Sequence, residues 1–385
     1  MRSNYKAIGE LVERVDIRNT DGSIDTLIGL SIEKCFIRSV ANTIGTDLTK
    51  YKKIRKNQFA VSLMQVSRDE KIPVACLKEF DEAIMSPAYS IFQIIDESIL
   101  LPEYLDMWFK RSEFDREAAF IAVGGVRGSM PWEEFAKMKL PVPPIEKQRS
   151  IVTAYQTITD RIALKRKINE NLEATEQAVL LKAISSNQVS KTSMDNFVEF
   201  IDGDRGKNYP TFNEFAPEGF CLFLNATNVT ALGFNFETCM FVTEEKDKAM
   251  KKGHLSPFDI VLTSRGTLGN VALYDNNIPY KNVRINSGML IIRPKTERVP
   301  PYFIYSLLKS RYMKAAIEQF RSGSAQPQLP IKDLQKISFD IPDDTTILKI
   351  TNMQLQSIEE MVSKGRYEID KLKALSRILL AELSC

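Results

Sequence analysis

The chain repeats itself, and this constrains its fold more than any other feature. Ile8 to Asp16 reads IGELVERVD and Met194 to Asp202 reads MDNFVEFID, an offset of 186 with Val, Glu and Asp matching at the fifth, sixth and ninth places. Further on the offset grows to about 199. There Asn57–Val61 faces Ser256–Ile260, Pro102–Leu105 faces Pro300–Phe303, Met130–Phe135 faces Leu329–Leu334, and Lys139–Pro143 faces Ser338–Pro342. Each anchor is weak alone, but the shared order predicts two similar modules in 385 residues, the second carrying a net insertion of about a dozen residues.

Each half follows the same plan. Strand-like runs come first: Ala60–Met64, Ser90–Ile95, Asp259–Thr263 and Met289–Ile292 are rich in β-branched residues and bounded by Gly, Pro, Asn and Asp. Short helices are predicted at Pro102–Phe120 and Pro300–Phe320, where Pro opens a helix. A proline stop follows, and after it a long helix. From Ile151 to Ala183 the heptad core places are Ile151, Tyr155, Ile158, Ile162, Lys165, Asn169, Leu172, Glu176, Val179 and Ala183, seven of the ten apolar, with no Pro or Gly between. The second helix, from about Ile347 to Leu383, carries Ile369, Leu372, Leu375, Leu379 and Leu383 at gaps of 3, 3, 4 and 4. One-stripe helices of about 50 Å need a partner, and each half supplies one. The two are expected to pair antiparallel as a coiled coil that holds the globular parts apart. The polar core places Lys165, Asn169 and Glu176 would fix register, face another subunit, or mark where the helix rolls to solvent.

Composition removes several chemistries. His254 is the only histidine, so sites needing two or three imidazoles are out of reach and a Ser-His-Asp hydrolase is disfavoured. The five cysteines form no CxxC and are odd in number, which argues against a zinc ribbon or a disulfide framework and for a reducing cytoplasm. No signal peptide and no 18-residue apolar run is seen, so no membrane is expected. There is no GxxxxGK(S/T) phosphate loop and no GxGxxG after a strand. Val299-Pro300-Pro301-Tyr302-Phe303 is similar to the motif with which amino-methyltransferases hold a target base, but Val stands where a polar side chain must accept the amine's hydrogen bond, so it is read as a helix start.

With 52 Lys+Arg against 49 Asp+Glu, any nucleic-acid surface must be local. Lys50–Lys78 holds eight bases against two acids, and Leu262–Arg298 six against two. Such islands suit phosphates. Polar loops add the groups that base edges require, since Arg reads guanine and Asn or Gln reads adenine. The candidate DNA-binding residues are Gln65, Arg68, Lys71, Arg127 and Ser129 in the first half. In the second half they are Arg205, Lys207, Tyr209, Arg265, Thr267, Asn270, Arg284, Ser324 and Gln326. No catalytic or metal-binding residue is nominated. Ile151, Tyr155, Ile158, Ile162, Leu172, Val179, Ile369, Leu372 and Leu379 are the candidates for the coiled coil and for subunit docking.

The stretch Lys139-Leu140-Pro141-Val142-Pro143-Pro144-Ile145-Glu146-Lys147-Gln148-Arg149-Ser150-Ile151-Val152 resembles the central signature of the specificity subunits of type I restriction-modification systems, in which alternating hydrophobic and proline residues precede Glu-x-Gln and a long helix. Ile84-Met85-Ser86-Pro87-Ala88-Tyr89 and Gly323-Ser324-Ala325-Gln326 are also similar to that family. The second junction, Ile341-Pro342-Asp343-Asp344, lacks both the Pro-Pro and the Glu-x-Gln. The resemblance covers essentially the whole chain. It implies an α+β protein with two similar target recognition domains of mixed or antiparallel β-structure, residues 1–146 and 193–343. Two long antiparallel coiled-coil helices, 147–192 and 344–385, would separate them in a pseudo-twofold repeat.

The same resemblance implies a non-catalytic reader of a bipartite sequence in double-stranded DNA. Its partners would be two methyltransferase subunits and motor-nuclease subunits of a phage-defence complex. S-adenosylmethionine, ATP and magnesium would then sit on those partners, with no cofactor on this chain. A specificity subunit of a type IIB-like restriction-methyltransferase, and an enzyme with an unrecognised site, are the alternatives.

Overall fold

Short runs of β-branched and aromatic residues build the same antiparallel sheet twice. The computed structural model describes residues 4–39, 46–64, 66–122, 128–295, 298–320 and 328–383. They divide into two units, Met1–Arg166 with Tyr367–Cys385, and Lys167–Arg366.

In the first unit, β1 (Tyr5–Ala7) and β2 (Val12–Val15) precede β3 (Phe59–Val61), β4 (Val74–Cys76) and β5 (Ser90–Ile94). The sheet order is β2-β5-β3-β4, every pair antiparallel. Phe59 lies opposite Phe92 in register and their rings stack at 5.2 Å. Helices α1 (Pro102–Phe109), α2 (Ser112–Ile121) and α3 (Trp132–Lys137) bring Phe109, Trp132 and Phe135 onto that pair, with Phe114 behind Phe109 and Phe135. Buried aromatic rings in tilted and edge contact supply much of the packing free energy of a small core. Strand β6 (Lys139–Pro141) closes the module by pairing with β1 and leads into α4 (Ile145–Ser185).

The second unit uses the same grammar. Strands β7 (Val189–Ser193), β8 (Val198–Asp202), β9 (Ile260–Thr263), β10 (Val271–Leu273) and β11 (Met289–Pro294) give the sheet order β8-β11-β9-β10, again antiparallel throughout. Helices α5 (Pro301–Lys309), α6 (Arg311–Phe320) and α7 (Ile331–Leu334) cover it. Strand β12 (Ser338–Pro342) pairs with β7 and leads into α8 (Thr345–Glu382). The second unit also has a three-stranded sheet in which Cys221–Leu224 lies between Phe241–Val242 and Val283–Ile285.

The structure corrects two details of the sequence reading. Each short helix is two helices. Arg111 and Ser310 take extended backbone, ψ 138° and 155°, and restart the helix, the Ser310 hydroxyl accepting from the Met313 amide at 3.2 Å. The repeat register also moves. Asn57 and Phe258 are both left-handed, φ 65° and 68°, so Asn57 corresponds to Phe258 and not to Ser256. Gln58 then corresponds to Asp259. The Gln58 side chain accepts from the Arg55 amide at 2.8 Å, and Asp259 accepts from the Ser256 amide at 2.7 Å.

The long helices have 41 and 38 residues, about 60 Å each at 1.5 Å per residue. Within the first unit, Lys165 of α4 meets Glu368 of α8 at 2.5 Å. Within the second, Asn169 donates to the Val362 carbonyl at 3.4 Å and packs on Gly365, where a Cβ would lie 2.2 Å from its Oδ1. Glu176 is 1% exposed; it accepts from Ser306 of α5 at 2.5 Å and pairs with Lys309 at 2.6 Å. Burial alone would lower the Lys309 ammonium, but Tyr305, Glu359 and Glu176 around it outweigh that and hold it above its ordinary value.

Candidate nucleic-acid interface

In the second unit four loops meet around the turn Asn286–Gly288. A Cβ at Gly203 would lie 2.2 Å from the Asn286 carbonyl, so only a glycine lets the loop after β8 lie on that turn. The Ser264 and Arg265 amides both donate to the Gly288 carbonyl, at 2.9 and 3.1 Å. Arg205 donates to the Ser287 carbonyl at 3.2 Å while pairing with Asp202 at 3.1 Å. Asp204 accepts from the Gly206 and Lys251 amides, each at 2.7 Å, which fixes the 251–253 loop against it. Those backbone donors, the Gly206 amide first, hold the Asp204 carboxyl below the usual range.

This cluster carries five cations, Arg205, Lys207, Lys251, Lys252 and Arg265, against the carboxylates of Asp202 and Asp204, and Asp204 spends its charge on amides. Lys207 and Thr267 are exposed and Arg265 is half-buried. Neither Lys207 nor Arg265 forms an ion pair among the described residues. A cationic, loop-built surface with guanidinium forks and hydroxyls suits phosphate contacts and base edges. Lys251 and Lys252, which sequence reasoning did not single out, belong to this cationic cluster through their backbone amides on Asp204. The available signal was the paired lysines before Gly253, whose φ of 87° turns the chain back onto Gly203.

Three nominated residues of this unit are engaged inside the fold. Arg284 is corrected to a structural residue: it is 5% exposed, and it donates to Asp247 Oδ1 at 2.5 Å and to the carbonyls of Lys252, Asp247 and Met250 at 2.6, 2.8 and 3.2 Å. Four of its five N–H donors are used inside the fold, so it has no paired donors left to offer a base edge. The Asn270 side-chain Nδ2 donates to the Val229 carbonyl at 3.1 Å. Tyr209 is half-buried with its ring edge against Phe223 at 5.6 Å. Ser324 and Gln326 lie outside the described residues, as do Gln65 and Arg127 of the first unit.

In the first unit Arg68 is exposed and pairs with Asp69 at 3.1 Å, and Lys71 pairs with Glu33 at 2.9 Å. Ser129 is half-buried, and its neighbour Gly128 lies against Ser67 and Arg68, where a Cβ would be 2.4 Å from Ser67 Oγ and 3.4 Å from the Arg68 backbone nitrogen. The Met130 amide donates to the Leu63 carbonyl as the Leu329 amide donates to that of Ser264, so the same two loops meet in both units. The basic islands are corrected in the same way. All eight cations of Lys50–Lys78 lie against a carboxylate, which removes most of that island's field. In Leu262–Arg298, Arg284, Arg293 and Arg298 are likewise paired.

The nominated helix residues divide by depth. Ile151 and Tyr155 pack on the core of the first unit and Val179 on that of the second. Ile162 and Ile369 are 8% and 7% exposed, and Ile158, Leu172, Leu372 and Leu379 are half-buried. His254 is half-buried beside the Leu255 carbonyl. No group of three or more His, Cys, Asp or Glu among the described residues could hold a metal ion, and no described helix is long and apolar enough to cross a membrane.

Comparison with known proteins gives this geometry its context. A family model for the type I restriction modification DNA specificity domain matches residues 194–358. The type I restriction enzyme MjaIX specificity subunit of Methanocaldococcus jannaschii is 22% identical over 307 residues, covering 75% of this chain and 70% of its own length. The MjaVIII specificity subunit of the same organism is 24% identical over 271 residues, covering 64% and 61%. The crystal structure of the type I restriction-modification S subunit from M. genitalium shares the fold, with a TM-score of 0.61 at 14% identity over 99% of this chain and 96% of that one. Residues 194–358 thus match the type I restriction modification DNA specificity domain, and the chain along most of its length resembles the specificity subunits of type I restriction-modification systems.

Proposed function

We propose that this chain is the DNA-reading subunit of a type I restriction-modification complex and is itself non-catalytic. The observation that carries the reading is the second unit's cationic loop cluster, built on a sheet whose strand order recurs in the first unit. Two similar but non-identical modules suit two different half-sites of one double-stranded target. The module ending at β6 and the module from β7 to β12 act as target recognition domains, and α4 (Ile145–Ser185) and α8 (Thr345–Glu382) form the antiparallel coiled coil that sets the gap between half-sites, the first spacer stopping at Ser185 rather than at 192 because Val189–Ser193 is strand.

Those helices dock two methyltransferase subunits, and motor-nuclease subunits join the assembly for cleavage. S-adenosylmethionine, ATP and magnesium belong to those partners, and the complex works in the cytoplasm. Phosphate contacts make binding salt-dependent through counterion release.

The test is to map methylated adenines in the host genome with and without this gene, then with residues 194–340 exchanged for another member's second domain. Gene-dependent methylation at a bipartite sequence is expected, with one half-site changed by the exchange. Identical methylation with and without the gene would overturn the reading, and a change in both half-sites would overturn the modular part of it.

A further inference from the structure

The long helices carry a cationic surface that the loop readers do not explain. In α4, residues 161–167 contain Arg161, Lys165, Arg166 and Lys167 and no acid; in α8, residues 371–377 contain Lys371, Lys373 and Arg377 and no acid. Within the first unit these stretches face each other across an open groove. Tyr155, Thr159 and Arg166 line one wall, and Lys373, Ser376 and Arg377 the other. Glu368 engages Lys165 and Arg161, at 2.5 and 3.9 Å, outside the groove lining. Lys373 reaches only Asp370, at 3.5 Å, and Arg166 and Arg377 are exposed with no ion pair among the described residues.

We infer that this groove between α4 and α8 is a phosphate-binding track for the backbone of duplex DNA. The inference rests on the reading of the chain as a DNA-binding subunit. Three cations converge on a concave strip that contains no carboxylate, and three hydroxyls stand between them. Guanidinium and ammonium groups pair with phosphate oxygens, and hydroxyls donate to them, without regard to sequence. Two apolar residues, Ile162 and Ala163, floor the strip and offer nothing to a base edge. An acidic protein segment would find the same charges and is the competing occupant that the experiment below separates. The backbone of nucleic acid, a dense line of phosphates, fits a strip of cations and hydroxyls better.

The experiment uses the full chain and a random-sequence duplex of about four helical turns, with affinity followed by fluorescence anisotropy against salt. The variant Arg166→Gln/Lys373→Gln/Arg377→Gln removes the three cations, and Arg166→Lys/Arg377→Lys keeps the charge. Each phosphate contact contributes about 0.9 to the slope of log affinity against log salt. The triple variant is expected to bind more weakly with a slope shallower by about 2 to 3, and the charge-keeping variant to retain the slope. Circular dichroism at 222 nm, unchanged in the triple variant, confirms intact helices; if it falls, each single Gln variant is measured instead and must lower the slope by about 1. An unchanged slope overturns the track. Unchanged DNA binding together with loss of copurifying methyltransferase assigns the groove to an acidic protein and also overturns it. Gene-dependent methylation in the host is read separately, so failure of the groove leaves the reader function standing, whereas absent methylation together with no duplex binding by the unaltered chain removes both.

Discussion

The carboxamide of Gln148 accepts from the Leu101 amide at 3.0 Å and donates to the Ile99 and Pro143 carbonyls at 2.7 and 2.8 Å. Gln148 is fully buried, and it ties the first turn of α4 to the start of α1. It is also the Gln of the Glu-x-Gln in the central signature. The second unit lacks that motif but solves the same problem from a different position, with Asn352 of α8 accepting from the Tyr302 and Phe303 amides at 3.0 and 3.3 Å. Both modules therefore fix the long helix by satisfying the open amides of a short one.

Gln148→Ala removes three hydrogen bonds and leaves buried groups unpaired, so the chain should lose about 2 to 3 kcal/mol of stability. Gln148→Glu keeps the acceptor for Leu101 but places a carboxylate against two carbonyls, and should lose more. Urea unfolding of both variants checks the order. A neutral Gln148→Ala would mean the contact is incidental.

The corresponding residues Gln58 and Asp259 give a cleaner test. Gln58 donates to Gln93, which donates to Glu13, at 2.8 and 2.7 Å. Asp259 instead accepts two bonds from Arg293, at 2.8 and 2.7 Å. Asp259→Gln alone strands a partly buried guanidinium and should destabilise by about 2 to 4 kcal/mol. Asp259→Gln with Arg293→Gln rebuilds the neutral pair of the first module and should recover at least half of that loss. A double-mutant cycle by thermal unfolding measures it, and strict additivity would show that the two positions do not share one network.

Much of this was legible in sequence, and the failures have physical causes. The strands over Phe59–Val61, Ser90–Ile94, Ile260–Thr263 and Met289–Pro294 and the two long helices follow from periodicity and proline stops. The repeat register at Asn57 slipped by two places because Phe258 adopts a left-handed backbone that no local signal marks; Asn is common there and Phe is not. Glu176 read as a seam residue, yet its partners Ser306 and Lys309 come from a helix about 130 residues away in sequence. Arg284 read as a base reader because an arginine in a basic stretch gives no hint that Asp247 will bury it. Periodicity reports a residue's own element, whereas the partners of Glu176 and Arg284 come from distant ones.

Acid should loosen one loop of the second unit. Glu214 accepts from Lys246 at 2.7 Å and from the Thr211 amide and hydroxyl at 2.8 and 2.9 Å. Lys246 first, then Thr211, hold its carboxyl down at about 2, against the usual 4.5. A depressed folded-state value means that the stabilisation is present above 4.5 and disappears as pH falls toward 2. The melting-temperature difference between the unaltered chain and Glu214→Gln should be constant at neutral pH and shrink below about pH 4.5. A difference independent of pH would show that the charge on Glu214 does not matter.

The loop cluster and the buried arginine should separate in one experiment. Lys207→Gln and Arg265→Gln remove cations that have no ion-pair partner among the described residues, so melting should stay within about 0.5 kcal/mol of the unaltered chain. Each should make the salt slope of duplex binding shallower by about 1 if its cation meets a phosphate. If Arg265 reads a guanine instead, its variant should relax one position of the target at a loss of about 1 to 3 kcal/mol. Arg284→Ala does the opposite. It strands Asp247, whose side chain is 10% exposed, and frees the carbonyls that shape the 250–252 loop. Stability should fall by about 3 to 5 kcal/mol, and DNA binding should weaken only over the temperature range in which the second unit unfolds. Thermal melts beside anisotropy titrations distinguish the two classes. Weakened DNA binding by Arg284→Ala with no change in melting would return Arg284 to the interface.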